Sequence, residues 1–135
     1  MRRAIAITLA GALALLLAGN GLVMLLAGRW WYGAVPGVIE TGPFNPHFVK
    51  DIGAAYVVSG AGFAAFAWRP AGMWPALAAS TAFLTLHACV HLADAATSAT
   101  GGQDLVRDFG GVFAPALIGI ALSVTSIRPQ ELAHA

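Results

Sequence analysis

The sequence predicts an all-α protein, an integral membrane four-helix bundle. Three observations carry that expectation. The 135 residues are 59% hydrophobic and 10% charged, with mean hydropathy +0.76, whereas a soluble domain carries about 25% charged residues. Four apolar runs, at about 4–28, 46–68, 74–96 and 104–127, each match or exceed the roughly 20 residues that cross a hydrocarbon layer. Clusters rich in proline, glycine or small polar residues punctuate the chain between them. The length suits a single domain, 1–135. The low charge content excludes a disordered chain. A net charge of +1 supplies no basic field for nucleic acid. The single cysteine, Cys89, has no partner for an internal disulfide. Its helical position, about 160° from the neighbouring histidines, predicts packing as a small apolar residue.

The first run follows Met1-Arg2-Arg3 and extends from Ala4 to Gly28. A signal peptide has a similar basic start, but its apolar part is about 7–15 residues long, so this run reads as a retained membrane helix. Asn20, its one strongly polar residue, lies between Gly19 and Gly21, which predicts a close helix contact with an interhelical hydrogen bond. Arg29-Trp30-Trp31-Tyr32 has the composition of an interfacial belt. Pro36-Gly37, Gly42-Pro43 and Asn45-Pro46 then forbid a continuous helix, and the segment reads as a connection alone, with a lid over the bundle as the alternative.

Asn45-Pro46 is a helix start, since asparagine caps free N–H groups and proline suits the first helical position. That helix ends at Arg69-Pro70. Its Ala54, Val58, Ala61 and Ala65 share a face of small residues that predicts close packing. Trp74-Pro75 opens the third helix, near Trp68 at a second interface. Asp104 or a neighbour caps the fourth, Pro115 kinks it and frees a carbonyl near Gly111, and Arg128-Pro129 stops it before a polar tail, 130–135. An even number of spans puts both termini on one side. Arg2, Arg3, Arg69 and Arg128 fall there, against Arg29, Lys50 and Arg107 on the other. The positive-inside rule therefore predicts cytoplasmic termini.

This topology gathers the ionisable residues at the opposite, extracytoplasmic end. His87, His91 and Asp94, at spacing i, i+4, i+7, project within an arc of roughly 60°. His47 and Asp51 begin the second helix and Asp108 lies in the first turns of the fourth. Ionisable residues at membrane depth are costly and mark functional sites. Imidazoles and carboxylates from three helices suit zinc, iron or manganese, with His47, Asp51, His87, His91, Asp94 and Asp108 as ligands or supporting groups. Copper(I) is disfavoured because no methionine cluster joins them. Haem on His47 or His91 is a weaker fit, since its pocket wants mostly apolar walls. A His/Asp chain is also suited to relaying protons or to quinone chemistry. The bland alternative is that Arg107 pairs with Asp94 or Asp51 and locks the helices. No catalytic triad spacing or phosphate-binding glycine loop is present.

The segments Thr41-Gly42-Pro43-Phe44-Asn45-Pro46-His47-Phe48-Val49-Lys50-Asp51-Ile52-Gly53-Ala54-Ala55-Tyr56 and His87-Ala88-Cys89-Val90-His91-Leu92-Ala93-Asp94 resemble those of small four-helix bacterial membrane proteins grouped loosely with the DoxX-like proteins. The resemblance covers most of the chain. It implies an inner-membrane four-helix bundle with a redox association, and brings no established catalytic residues. The leading functional expectation is a transition-metal site supporting redox or hydrolytic chemistry. The alternatives are a non-catalytic accessory or assembly subunit of a membrane complex, and a proton-coupled carrier. The expected partners are the lipid bilayer, other membrane proteins, or further copies of the chain.

Overall fold

A computed structural model describes residues 2–131. Residues 132–135 of the polar tail lie outside the described residues. Helix α1 runs Arg2–Ala34, a 3-10 turn occupies Val38–Thr41, α2 runs Pro46–Trp68 and α3 Trp74–Thr97. The last passage is composite: α4 spans Gly101–Asp108, a π-helical turn Phe109–Phe113, and α5 Ala114–Glu131. No strand occurs among the described residues. Four helices, Arg3–Ala34, Pro46–Trp68, Trp74–Thr97 and Gly101–Ser126, are long and apolar enough to cross a membrane.

The local signals act as expected at several boundaries. The Asn45 side chain accepts hydrogen bonds from the backbone N–H groups of His47 and Phe48 at 3.0 and 3.2 Å, with Pro46 at the first helical position. Other boundaries differ. Helix α1 continues past Gly28 to Ala34 by way of a non-helical residue, Ala27 (φ −134°, ψ 38°), so the aromatic belt is helical. The fourth passage starts at Gly101, and Asp104 lies in its first turn. Helix α5 passes Pro129 and ends at Glu131. Pro129 removes only the helical bond to the Thr125 carbonyl, and its fixed φ is itself helical.

A close helix contact joins α1 and α2 through glycine. A Cβ on Gly21 would stand 2.5 Å from the Gly53 carbonyl oxygen, and one on Gly60 would stand 2.8 Å from the Ala18 nitrogen. Small residues at such crossings let backbones approach. They are not the residues that periodicity suggested. Ala54, Val58 and Ala61 lie on the exposed surface, with Val58 71% exposed. In a helix that is apolar all round, hydrophobicity does not mark the inward face. Gly19 likewise meets nothing within 4 Å, and Cys89 is exposed rather than packed.

Phe63, Leu77, Leu84, Leu17 and Met24 fill the centre. Helices α3 and α5 are joined by a Ser123–Thr81 hydroxyl bond of 3.1 Å and by the Trp74 indole N–H, which donates to the Ser123 carbonyl at 3.0 Å. Leu15, Leu26, Leu86 and Val106 are among the large apolar side chains on the outer surface. Water-soluble monomers rarely expose apolar surface so extensively.

Candidate functional site

A cavity of about 760 Å³ lies between α1, α3 and the α4–π segment, roofed by residues 35–41. Its inner wall includes Leu16, Leu17, Met24 and Ile52, together with Asn20, Tyr56 and His87. Glu40, His91, Asp94, Asp104, Arg107 and Asp108 surround its polar end. The volume falls in the roughly 300–1,000 Å³ range of small-molecule sites.

Each wall follows from local sequence. Asn20 sits on α1 facing the cavity, and its oxygen accepts from the Trp31 indole N–H at 2.8 Å. The hydrogen bond is therefore made within α1 rather than between helices. It fixes Trp31 against the cavity wall. The π turn has a plain cause: Pro115 supplies no N–H, so the regular i to i−4 ladder cannot continue through it. The Ala114 N–H reaches back to the Phe109 carbonyl, and Gly110 and Gly111 turn along the cavity.

The segment between α1 and α2 is a strap over the cavity. Gly37 has φ +83° and Gly42 φ +134°, conformations that glycine adopts without a steric penalty. The Tyr32 hydroxyl donates to the Gly42 carbonyl, and Tyr32 packs edge-on against Phe44 at 5.3 Å. At the other side Glu40 pairs with Arg107 at 3.3 Å.

Arg107 is the hub of the polar end. Its Nη1 also lies 2.9 Å from Asp104, and its Nε donates to Asp108 at 2.8 Å. The pairing expected with Asp94 or Asp51 does not form. The second oxygen of Asp108 lies 2.7 Å from His91 Nδ1. Asp108 and His91 are 13% and 30% exposed, so this is a half-buried, charge-assisted contact of the stronger kind. The ring of His91 meets that of His87 edge-on at 4.7 Å, one turn deeper. His87 in turn stacks on Phe83 and meets Tyr56 edge-on at 5.7 Å. Asp108, His91, His87 and Tyr56 thus form a graded series from the polar mouth toward the apolar end. Leu84, one turn beyond His87 along α3, is 3% exposed, and Phe63, two turns beyond Tyr56 along α2, is fully buried.

The six residues singled out from sequence do not meet at one point. His47 and Asp51 form an i, i+4 pair at 3.3 Å on the outer surface, 88% and 62% exposed, and neither lines the cavity. Asp94 lies on the rim. Only His87, His91 and Asp108 are brought together, and Asp108 is already held by His91 and Arg107. Among the described residues no group of three or more His, Cys, Asp or Glu side chains is arranged to hold a metal ion. Sequence reasoning missed Tyr56, Trp31 and the strap's Glu40. It gave Arg107 other partners, although the Asp104-Arg107-Asp108 spacing (i, i+3, i+4) was there to be read.

No family model, curated protein or solved structure matches the chain.

Proposed function

We propose that the protein is a multi-pass protein of a bacterial inner membrane, with cytoplasmic termini, that binds a small lipid-soluble molecule in the cavity beneath the strap. The Asp108–His91–His87 series exchanges protons between the aqueous mouth and that molecule. The observation that carries this reading is the 2.7 Å His91–Asp108 contact at the polar end of a small-molecule-sized, apolar-walled cavity. Asp108 accepts from Nδ1–H, which fixes the tautomer and orientation of His91. It leaves Nε2 to take up or release a proton. The burial of Leu84 and Phe63 beyond the series favours a dead-ended binding site over a carrier pathway within one copy.

The test uses the protein in zwitterionic lipid nanodiscs with the lipid-soluble dye N-phenyl-1-naphthylamine. Saturable binding near one dye per chain is expected. It should be lost in Gly111→Trp, which fills the cavity at a position where a Cβ meets nothing within 4 Å. In His91→Gln binding should persist while its dependence on pH disappears. Dye uptake no greater than that of empty nanodiscs would overturn the binding site. Unchanged pH dependence in His91→Gln would overturn the proton relay. A folded protein that binds nothing would favour the accessory-subunit reading.

A further inference from the structure

Resting on that reading of the cavity, we infer that its ligand class is a basic lipophilic amine, a protonated nitrogen bearing several N–H groups on an apolar body, unlike the neutral diarylamine dye. Four carboxylates, Glu40, Asp94, Asp104 and Asp108, line the cavity against one guanidinium. Arg107 is already shared among Glu40, Asp104 and Asp108, and Asp94 has no ion pair among the described residues. The local field therefore repels anions and attracts cations.

Acidity alone does not make a site, but the inner wall offers unused hydrogen-bonding groups. Tyr56 is only 6% exposed, and its hydroxyl has no hydrogen-bond partner among the described residues. Among the described residues no side-chain polar atom sealed inside the protein lacks a partner, so this hydroxyl opens onto the cavity that Tyr56 lines. The π turn supplies a second acceptor. Ala114 N–H bonds to the Phe109 carbonyl. In that spacing the next donor would be residue 115, a proline, so the Gly110 carbonyl receives no N–H from the helix. Space lies open beside Gly110 and Gly111, where an added Cβ meets nothing within 4 Å.

An amine answers all of these features. Its N–H groups satisfy the Gly110 carbonyl and the Tyr56 hydroxyl oxygen, its charge suits the carboxylate rim, and the Tyr56 and Trp31 rings favour a cation at their faces. Its apolar body lies toward Leu16, Leu17, Met24 and Ile52. His87, at the depth of the nitrogen, is placed to exchange a proton with it.

The experiment is displacement of bound N-phenyl-1-naphthylamine by four ten-carbon probes: decylamine, decyltrimethylammonium, decanol and decanoate. Decylamine should displace the dye at a concentration at least about tenfold below each of the others. Tyr56→Phe and Pro115→Ala should each weaken decylamine about tenfold relative to the dye measured in the same variant, the loss expected for a hydrogen bond to a charged donor. Pro115→Ala acts by returning an N–H to the helix. Decanoate or decanol displacing as well as decylamine would overturn the amine assignment. Parity of decylamine with decyltrimethylammonium would overturn the role of the N–H groups. Either result, with the dye still bound, leaves the cavity reading standing; absence of dye binding overturns that reading instead.

Discussion

Replacing Gly37 with alanine should open the strap. Gly37 has φ +83°, and a side chain in the left-handed region costs about 1 kcal/mol. The new Cβ would also be driven onto the guanidinium of Arg107. That group would have to withdraw from Glu40, which it reaches at 3.3 Å and which is 71% exposed. An ion pair so exposed contributes under about 1 kcal/mol. Together the two effects amount to about 2 kcal/mol, roughly thirtyfold in the ratio of open to closed strap. Hydrogen exchange of residues 36–43, followed by mass spectrometry in nanodiscs, reads this ratio directly. Amide exchange there should rise by about that factor, with α2 and α3 unchanged. In an Arg107→Ala background the same substitution should produce only the backbone part, because the two sites act on one contact. Unaltered exchange in Gly37→Ala, or an equal effect with and without Arg107, would refute the account of the strap as latched by this arginine.

Two further outcomes test the packing that shapes the cavity. Gly60→Val should destabilise the protein by about 1–3 kcal/mol, because its Cβ would lie 2.8 Å from the Ala18 nitrogen and 3.0 Å from the Ala14 oxygen. Gly11→Val, with nothing within 4 Å, should leave thermal unfolding in detergent unchanged, and equal effects would count against the α1–α2 contact. Asn20→Leu should remove the acceptor of the Trp31 indole at a cost of about 1 kcal/mol. The emission of Trp31, measured with the other tryptophans replaced by phenylalanine, should shift; an unchanged spectrum would show that the bond does not hold the ring.

How much was legible in the sequence differs from residue to residue. The polar i, i+4 spacing of His87 and His91 correctly placed both on one face of α3, and Asp108 on the neighbouring segment joined them. The same reasoning grouped His47 and Asp51 with them, because all lie at one end of the bundle. An end of a bundle has an outside as well as an inside, and these two lie outside, largely exposed. Asp94, two turns from His87, reaches the rim without joining the ion-pair cluster. Tyr56 was invisible as a site residue because a tyrosine in an apolar helix has no sequence mark separating a core ring from a cavity wall.

The sequence by itself determined the four long apolar helices, most of their boundaries and the turn chemistry. These depend on short-range rules: Asn45 caps its own helix, Pro115 breaks its own ladder, and Gly37 and Gly42 permit turns at their own positions. Only the tertiary structure decided which face of each helix turns inward. The chain is apolar almost all round, so hydrophobicity did not choose between Gly53 and Ala54, whereas backbone approach to α1 did. The tertiary structure also decided the partners of Arg107, since Glu40 lies 67 residues away along the chain. Contacts at that range are set by where packed helices leave space, a property no local pattern of residues encodes.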